Sequence, residues 1–111
     1  MNFRKLIVYQ KAIELVALLL PMASEVPSGH REVRDQLRRS VLSIPLNIAE
    51  GVGKVTVGDR KKFYAIARGS AMECAACVDV LRILIGGDMG RFDGADELLD
   101  EVVRMLSTMS R

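Results

Sequence analysis

The stretch that decides the fold reads QLRRSVLSIPLNIAEG and runs from Gln36 to Gly51. Four of its apolar residues recur at steps of four, three and four: Leu37, Val41, Ile44 and Ile48. This spacing is typical of an amphipathic helix with one buried face. Pro45 falls inside it, although a proline removes a helical hydrogen bond and costs about 3 kcal/mol or more in a helix interior. Because the apolar spacing continues across Pro45, we predict one helix that is kinked at the proline.

A second interpretation of the same stretch is two shorter helices, with Pro45 as the first residue of the second one. The missing N–H of a proline costs nothing at that position, since it has no partner within the helix. In the kinked helix, the hydroxyls of Ser40 and Ser43 would help to satisfy the freed carbonyls. Asn47 follows Ser43 by four residues, and we expect it to bond loosened backbone rather than a ligand.

The composition predicts an all-α fold. The chain has 111 residues, of which 50% are hydrophobic and only 5% are aromatic. Leu, Ile, Val, Ala and Met dominate the apolar content, as in helical bundles, and no alternation of period two is long enough to indicate a strand. A chain of this length can build one core without metals or disulfides. We therefore expect a single domain over residues 1–111.

Four amphipathic segments follow one another along the chain. We predict helices over Phe3–Met22 and His30–Val52, a third from an N-cap at Asp59 to Gly86-Gly87, and a fourth that opens at Asp93. Gly51 and Gly53 are expected to end the second helix in the left-handed conformation. Short connections between amphipathic helices predict an antiparallel, up-down four-helix bundle.

The third and fourth helices carry seams of apolar residues at steps of three and four. In the third helix the seam is Phe63, Ala67, Ser70, Cys74, Cys77, Leu81 and Leu84. In the fourth helix it is Phe92, Ala95, Leu99, Val102, Leu106 and Met109. We expect these two sets to face the core.

The first helix has more apolar surface than one core can cover. One stripe is Leu6, Tyr9, Ile13, Val16 and Leu20, and the stripe beside it is Val8, Ala12, Leu15 and Leu19. The run Leu15–Leu20 has no polar side, which implies that it is buried on all sides. In a small chain, a partner subunit is the simplest way to bury the side that faces away from the core. The stretch Ala65–Cys77 is rich in small residues, so a neighbouring backbone can approach it closely. We predict self-association through these two surfaces.

Charge is distributed unevenly along the sequence. Residues 1–72 carry 12 Lys and Arg against 6 Asp and Glu, whereas residues 73–111 carry 4 against 8, so +6 and −4 make up the net charge of +2. A polarised chain can bind an anionic partner through its basic half, or pair its own halves within a bundle or an oligomer. Both alternatives stay open at this point.

The N-terminus resembles a signal peptide only superficially. Arg4 and Lys5 precede an apolar run, but Gln10, Lys11 and Glu14 interrupt the apolar segment. The uninterrupted run is also far shorter than the roughly 20 residues that span a bilayer. We expect a cytoplasmic protein without a membrane segment.

Few residues support an enzymatic or metal-dependent function. Cys74 and Cys77 have the spacing of a redox or zinc motif, yet they fall in the middle of a helix, and the only histidine, His30, is remote in sequence. We therefore expect two reduced cysteines packed as small apolar residues, as in a reducing compartment. Glu50 and Glu73 are expected to pair with Arg39 or Arg68, or to cap backbone groups. We predict no enzyme, no metal and no cofactor.

Two basic clusters are candidates for binding nucleic acid. Arg31, Arg34 and Arg38 lie at helical steps of three and four, and Arg60, Lys61 and Lys62 open the third helix. Clustered cations are enough to bind phosphates, with an affinity that falls steeply with salt. Because the few aromatic residues fall mostly at core spacing, contacts to the backbone of structured RNA or duplex fit better than base stacking.

Three blocks of the sequence resemble the bacterial four-helix-bundle family named after proteins encoded in intervening sequences of large-subunit ribosomal RNA genes. The blocks are Gln36–Arg39, Ser43–Gly51 and Ile66–Ser70 through Glu73, with similar ends at Phe3–Gln10 and Met105-Leu106. Nine residues match the family motif: Arg39, Pro45, Asn47, Glu50, Gly51, Arg68, Gly69, Ser70 and Glu73. The sequence departs from the family pattern at two places. The family usually has a leucine where this chain has Cys74, and a more apolar helix end where this chain has Gly86-Gly87-Asp88.

The resemblance implies an up-down four-helix bundle that assembles into a ring, as a homopentamer. It implies no known activity. A related bundle, the accessory variability protein of diversity-generating retroelements, is a basic pentamer that works with a reverse transcriptase and RNA. By this analogy we expect an interaction or assembly protein that binds RNA or a nucleic-acid-binding protein through its basic face. The alternative is a scaffold that binds only proteins.

Overall fold

Four α-helices make up nearly all of the computed structural model, which describes residues 2–111. They are α1 (Ile7–Leu19), α2 (Arg31–Val52), α3 (Val57–Leu84) and α4 (Met89–Met109). Three 3₁₀ turns complete the secondary structure, at Phe3–Lys5, Leu20–Glu25 and Ser28–His30. No strand occurs within residues 2–111, so the predicted all-α class is confirmed.

The first helix is shorter than predicted and is flanked by two of the 3₁₀ turns. Leu6 is extended, with φ −70° and ψ 127°, and it separates the turn at Phe3–Lys5 from α1. At the other end, Pro21 has no N–H to donate to a carbonyl of the preceding turn, and the chain continues as a 3₁₀ turn from Leu20 to Glu25. The predicted single helix over Phe3–Met22 was therefore wrong in its ends and right in its centre.

The second helix continues through the proline. The helix α2 runs without a break from Arg31 to Val52, with Pro45 buried inside it. Of the two interpretations, the pair of shorter helices is therefore wrong. Asn47 bonds the loosened backbone as predicted, because its Nδ2 donates to the carbonyl oxygen of Ser43 at 2.8 Å.

The helix caps differ from the predicted ones. Thr56, and not Asp59, caps α3, because its hydroxyl accepts the N–H of Asp59 at 3.1 Å. Asp88, and not Asp93, caps α4 by accepting the N–H of Gly90 at 2.9 Å.

The backbone conformations of the glycines near the helix ends also differ in part from the predicted ones. Gly51 lies inside α2 and Gly53 has φ −75°, so neither adopts the left-handed conformation. Gly86 and Gly87 do, with φ +70° and +82°, and they end α3 as predicted.

Each helix contributes one face to a common core. The predicted positions Leu37, Val41, Ile44 and Ile48 of α2 are fully buried, and so are the inner positions Val8, Ala12, Leu15 and Leu19 of α1. The predicted seam of α4 is buried up to Leu106, while Met109 is half-buried. The seam of α3 is buried at Ala67, Cys74, Cys77 and Leu81, and half-buried at Phe63, Ser70 and Leu84.

The helices pack in a closed order. The helix α1 contacts α2 and α4, and the helix α3 also contacts α2 and α4, whereas α1 and α3 do not touch within the described residues. The core therefore lies at the centre of the four helices, and α1 and α3 occupy opposite corners of the bundle. This arrangement leaves the outer faces of α1 and α3 pointing away from each other.

Candidate interaction surfaces

Several motif residues meet where α2 packs on α3. Gln36 donates from Nε2 to a carboxylate oxygen of Glu73 at 2.7 Å, and its Oε1 accepts from Arg39 at 3.0 Å. Glu73 therefore reaches Arg39 through Gln36, whereas we predicted either a direct pair with Arg39 or Arg68 or a cap on backbone groups. Glu50 instead pairs with Lys54 at 3.1 Å, and Arg68 donates to the hydroxyl of Ser107 at 2.6 Å.

A chain of hydroxyls joins the two helices next to the proline. The hydroxyl oxygens of Ser43 in α2 and Ser70 in α3 lie 2.7 Å apart, and Asn47 also donates to the Ser43 hydroxyl at 2.9 Å. All three side chains are half-buried. Polar groups that satisfy one another in this way fix how one helix is placed on the other.

The motif glycine Gly51 allows α2 and α3 to approach closely. A β-carbon at this position would lie 2.7 Å from Cε1 of Tyr64, which is shorter than any ordinary carbon contact. Gly51 therefore serves helix packing and not helix termination. Gly69, the other motif glycine, has no atom within 4 Å of its would-be β-carbon and is exposed.

Most of the first basic cluster is exposed on α2. Arg31 lies 3.7 Å from Asp35, and Arg34 donates to the carbonyl of Val26 at 3.4 Å. Arg38 is exposed and makes no ion pair or side-chain hydrogen bond within residues 2–111. Beside these cations the outer face of α2 also exposes Leu42 and Leu46, with Leu46 67% accessible.

The second basic cluster lies at the other end of α2. Arg60 donates to the carbonyls of Lys54 and Val55 at 2.9 and 3.1 Å, so it holds the connection between α2 and α3. Lys61 and Lys62 are exposed. Arg38 precedes the end of α2 by 14 residues, which corresponds to about 21 Å along a helix. The structure therefore does not bring the two clusters together.

An uncharged stripe runs along the outer face of α3. It consists of Ala65, Gly69, Met72, Ala76, Val80 and Ile83, and all six are exposed. The accessible fraction is 51% for Met72 and 84% for Ile83. Sequence reasoning identified the small residues of this surface but missed its extension to Val80 and Ile83. The sequence contained a signal for this extension, because uncharged residues recur at steps of three and four on the side of α3 opposite the core seam.

A groove follows each side of this outer stripe of α3. The groove towards α2 has a volume of about 460 Å³ and is lined by Glu32, Val33, Gln36, Glu73, Ala76, Cys77 and Val80. The groove towards α4 has about 340 Å³ and is lined by Met72, Ala75, Asp96, Leu99, Asp100 and Val103. Both are shallow and mostly apolar with an acidic edge.

The outer face of α1 is partly apolar, with Gln10 and Glu14 exposed among its apolar residues. Its inner stripe is buried, whereas Ile7 is 59% and Ile13 is 42% accessible, and Leu6, Tyr9 and Val16 are half-buried. The run Leu15–Leu20 is thus only partly covered within one chain. By length and composition the segment Ile7–Glu25 could span a membrane, yet it contains Lys11, which pairs with Glu101 of α4 at 2.5 Å.

The two cysteines pack as small core residues. Both are reduced and buried in the middle of α3. Burial raises the pKa of the Cys74 thiol to about 12 and also raises the pKa of Cys77, against the effect of a hydrogen bond with Ser40. A thiol that stays protonated is a poor nucleophile and a poor metal ligand. Within residues 2–111, no three side chains of His, Cys, Asp or Glu lie close enough together to hold a metal ion.

Known proteins resemble this chain in fold and in family. A crystal structure of a protein of unknown function from the S23 ribosomal protein family of Bacteroides thetaiotaomicron superposes with a TM-score of 0.81. The two are 18% identical, and the match covers 95% of this chain and 99% of the other. No curated protein matches the chain. The model of one family, described as 23S rRNA-intervening sequence protein, matches residues 4–108. The chain therefore belongs to the 23S rRNA-intervening sequence protein family, as its motif residues predicted.

Proposed function

We propose that this chain is a non-enzymatic assembly module that associates with copies of itself through the outer faces of α1 and α3. The observation that carries the proposal is the uncharged stripe from Ala65 to Ile83, which nothing else in residues 2–111 covers. Monomeric proteins rarely leave an apolar strip of this length in water. The exposed Ile7 and Ile13 of α1 are the complementary surface.

The positions of the two faces favour head-to-tail contacts between copies. Because α1 and α3 lie at opposite corners, the α1 face of one copy meets the α3 face of the next, and each copy uses two different surfaces. Contacts of this head-to-tail kind close into a ring when the rotation between copies fits a whole number of subunits. The family resemblance supports five subunits.

The architecture that we infer for each subunit is an up-down bundle with α2 bent at Pro45. Residue pairs between neighbouring helices support antiparallel packing, because Gln36 bonds Glu73 while Gly51, further along α2, meets Tyr64, which comes earlier in α3. Between α3 and α4, Arg68 likewise bonds Ser107. The bend is inferred from the hydrogen bond that Pro45 cannot make.

A charge placed in the outer stripe of α3 tests self-assembly. We expect Val80→Lys to dissociate the assembly, since a lysine in the contact would be stripped of water without a partner. Leu46→Lys on the outer face of α2 is the matched control, and it should leave the mass in light scattering unchanged. A monomeric Leu46→Lys together with an assembled Val80→Lys would contradict the proposal.

We further propose structured RNA as the partner of the basic face. Support comes from the exposed Arg31, Arg38 and Arg39 on α2, and from the family description, which names a ribosomal RNA intervening sequence. Lys61 and Lys62 add a second contact at the far end of α2, while Arg34 and Arg60 are engaged with backbone carbonyls. A ring would repeat these cations around its edge and so raise the affinity for a long polyanion.

Fluorescence anisotropy with labelled structured RNA tests this partner. We expect binding that persists at physiological salt and weakens in the double variant Arg38→Ala/Arg39→Ala, with a lower salt slope. Arg104→Ala on α4 is the matched control and should bind as the parent does. If modest salt abolishes binding, or if both variants lose it equally, the protein binds only proteins and the RNA proposal fails.

A cytoplasmic location completes the proposal. It is supported by the two reduced cysteines, which fit a reducing compartment, and by the packing of the inner stripe of α1 against α2 and α4. Burial of both thiols supports a binding role rather than thiol chemistry, and the structural relative is of unknown function.

A further inference from the structure

The charges that border the outer stripe of α3 change sign along the helix. Lys61, Lys62 and Arg68 border its first half, whereas Glu73 and Asp79 border its second half. All five are exposed, and the Asp79 side chain is 76% accessible, with a single ion pair at 3.5 Å to Arg82. A helix that docks on this stripe therefore meets positive charges near the N-terminal end of α3 and negative charges further along it.

The segment from Arg4 to Glu14 carries exposed charges in the same order along the chain. Arg4 and Lys5 are exposed just before α1, and Glu14 is exposed ten residues after Arg4. None of the three forms an ion pair within residues 2–111, although Arg4 lies over the ring of Phe3. Positive charge thus comes first and negative charge second along the chain, so electrostatic attraction requires α1 to run against the direction of α3.

The spacing of the exposed apolar residues fits this direction. Ile7 and Ile13 are six residues apart within α1, or about 9 Å along its axis, and Gly69 and Ala76 are seven residues apart within α3, or about 10.5 Å, by the rise of 1.5 Å per residue. In the antiparallel register that sets Glu14 at Arg68, Ile13 falls opposite Gly69 and Ile7 falls opposite Ala76, and Arg4, in the turn before α1, lies at the Asp79 end. Two large exposed residues of one helix then meet two small residues of the other, as close helix packing requires.

We propose that α1 of a second copy docks antiparallel on the outer stripe of α3, with Arg4 at Asp79, Glu14 at Arg68, Ile7 over Ala76 and Ile13 over Gly69. This inference rests on the proposed self-assembly and defines its interface. The opposite direction would set Arg4 against Arg68 and Glu14 against Asp79, and like charges across an interface are penalised. The pattern therefore selects one direction of docking.

Charge reversal tests the electrostatic part of the interface. Asp79→Arg should weaken assembly about five- to tenfold in sedimentation equilibrium, and adding Arg4→Asp and Lys5→Asp should restore it. Asp100→Arg on α4 makes the same change in net charge and is the matched control, which should assemble normally. Equal weakening by Asp79→Arg and Asp100→Arg, or no rescue, would overturn the proposal.

Disulfide trapping tests the direction and the register. In mixtures of two variants under mild oxidation, we expect Ile13→Cys to link to Gly69→Cys, and Ile7→Cys to link to Ala76→Cys. Cys74 and Cys77 should not compete, because they are buried in the core. A preferred link of Ile13→Cys to Ala76→Cys means parallel docking, and a link of Gly69→Cys to itself means a contact of two α3 helices; either result overturns the proposal.

The two experiments also separate failure of the interface from failure of self-assembly. If the parent chain has the mass of an oligomer but neither expected disulfide forms, the interface lies elsewhere and this inference is wrong. If the parent chain has the mass of a single subunit, the proposed function itself fails, whatever the cross-linking result.

Discussion

Single residues of the motif act through contacts between helices. Gly51 lies in the part of α2 that we expected to be a helix stop, yet its role is to make room for the ring of Tyr64 on α3. The local sequence was consistent with a helix-ending glycine, because α2 does end one residue later, at Val52. The actual reason for a glycine at position 51 is the ring of Tyr64 on α3, and no spacing within α2 could reveal a contact with another helix.

Gly51→Ala should destabilise the fold by about 1–3 kcal/mol, because the added methyl group overpacks the contact with Tyr64. Gly94→Ala on α4 is the control, since no atom lies within 4 Å of the would-be β-carbon, and it should stabilise the chain by roughly 0.5–1 kcal/mol. Urea unfolding of both variants measures the difference. A Gly51→Ala protein as stable as the parent would show that Tyr64 moves aside freely.

At the scale of the elements, periodicity predicted the helices well and their ends poorly. The steps of three and four identified the buried positions of α2 and α4, because burial imposes that spacing directly. Each cap depends on a single hydrogen bond, and the predicted Asp59 and Asp93 are residue types that suit an N-cap as well as the observed Thr56 and Asp88 do. In both cases the cap lies before the residue that we predicted, so each helix gains a turn at its beginning.

Thr56→Ala should destabilise the protein by about 0.5–2 kcal/mol, because the first turn of α3 loses the acceptor for the N–H of Asp59. Thr56→Ser keeps the hydroxyl and should retain most of the stability. Thermal unfolding followed by circular dichroism measures both. Equal loss in the two variants would show that the methyl group, and not the cap, matters at this position.

The ion pair between α1 and α4 makes stability depend on pH. The hydrogen bond and charge of Lys11 lower the pKa of Glu101, and Glu101 raises the pKa of Lys11. A carboxyl whose pKa is lower in the folded state stabilises the fold above its unfolded pKa of about 4.3, and this contribution is lost as the pH falls through the folded pKa. A raised lysine pKa acts in the other direction, and its contribution is lost as the pH rises through that folded pKa.

Glu101→Gln should therefore lower the melting temperature at neutral pH, and the difference from the parent should shrink as the pH falls below about 4.3 and vanish once the pH is below the lowered folded pKa of Glu101. Glu97→Gln on the same helix is the control, since Glu97 is exposed and forms no ion pair within residues 2–111. Its difference from the parent should be small throughout. A Glu101→Gln difference that persists unchanged in strong acid would contradict the role of the charge.

At the scale of the whole molecule, the sequence predicted where apolar surface would be left over but not its full extent. The excess on α1 was visible because two apolar stripes lie side by side, and the structure leaves Ile7 and Ile13 exposed. On α3, the predicted seam through Cys77 and Leu81 faces the core, and the structure exposes Val80 and Ile83, which the prediction did not include, on the opposite side. Which side of a helix faces inward is settled by the packing of the other three helices.

The solution mass of the unmodified chain tests the central claim most directly. Sedimentation equilibrium over a wide range of micromolar concentrations should give one species with several times the mass of the 12.2 kDa chain, and its mass should not grow further with concentration. This result is the signature of a closed ring in which every outer face of α1 meets an α3. A mass of 12.2 kDa at every concentration would contradict the account, because the outer stripe of α3 would then remain exposed to water.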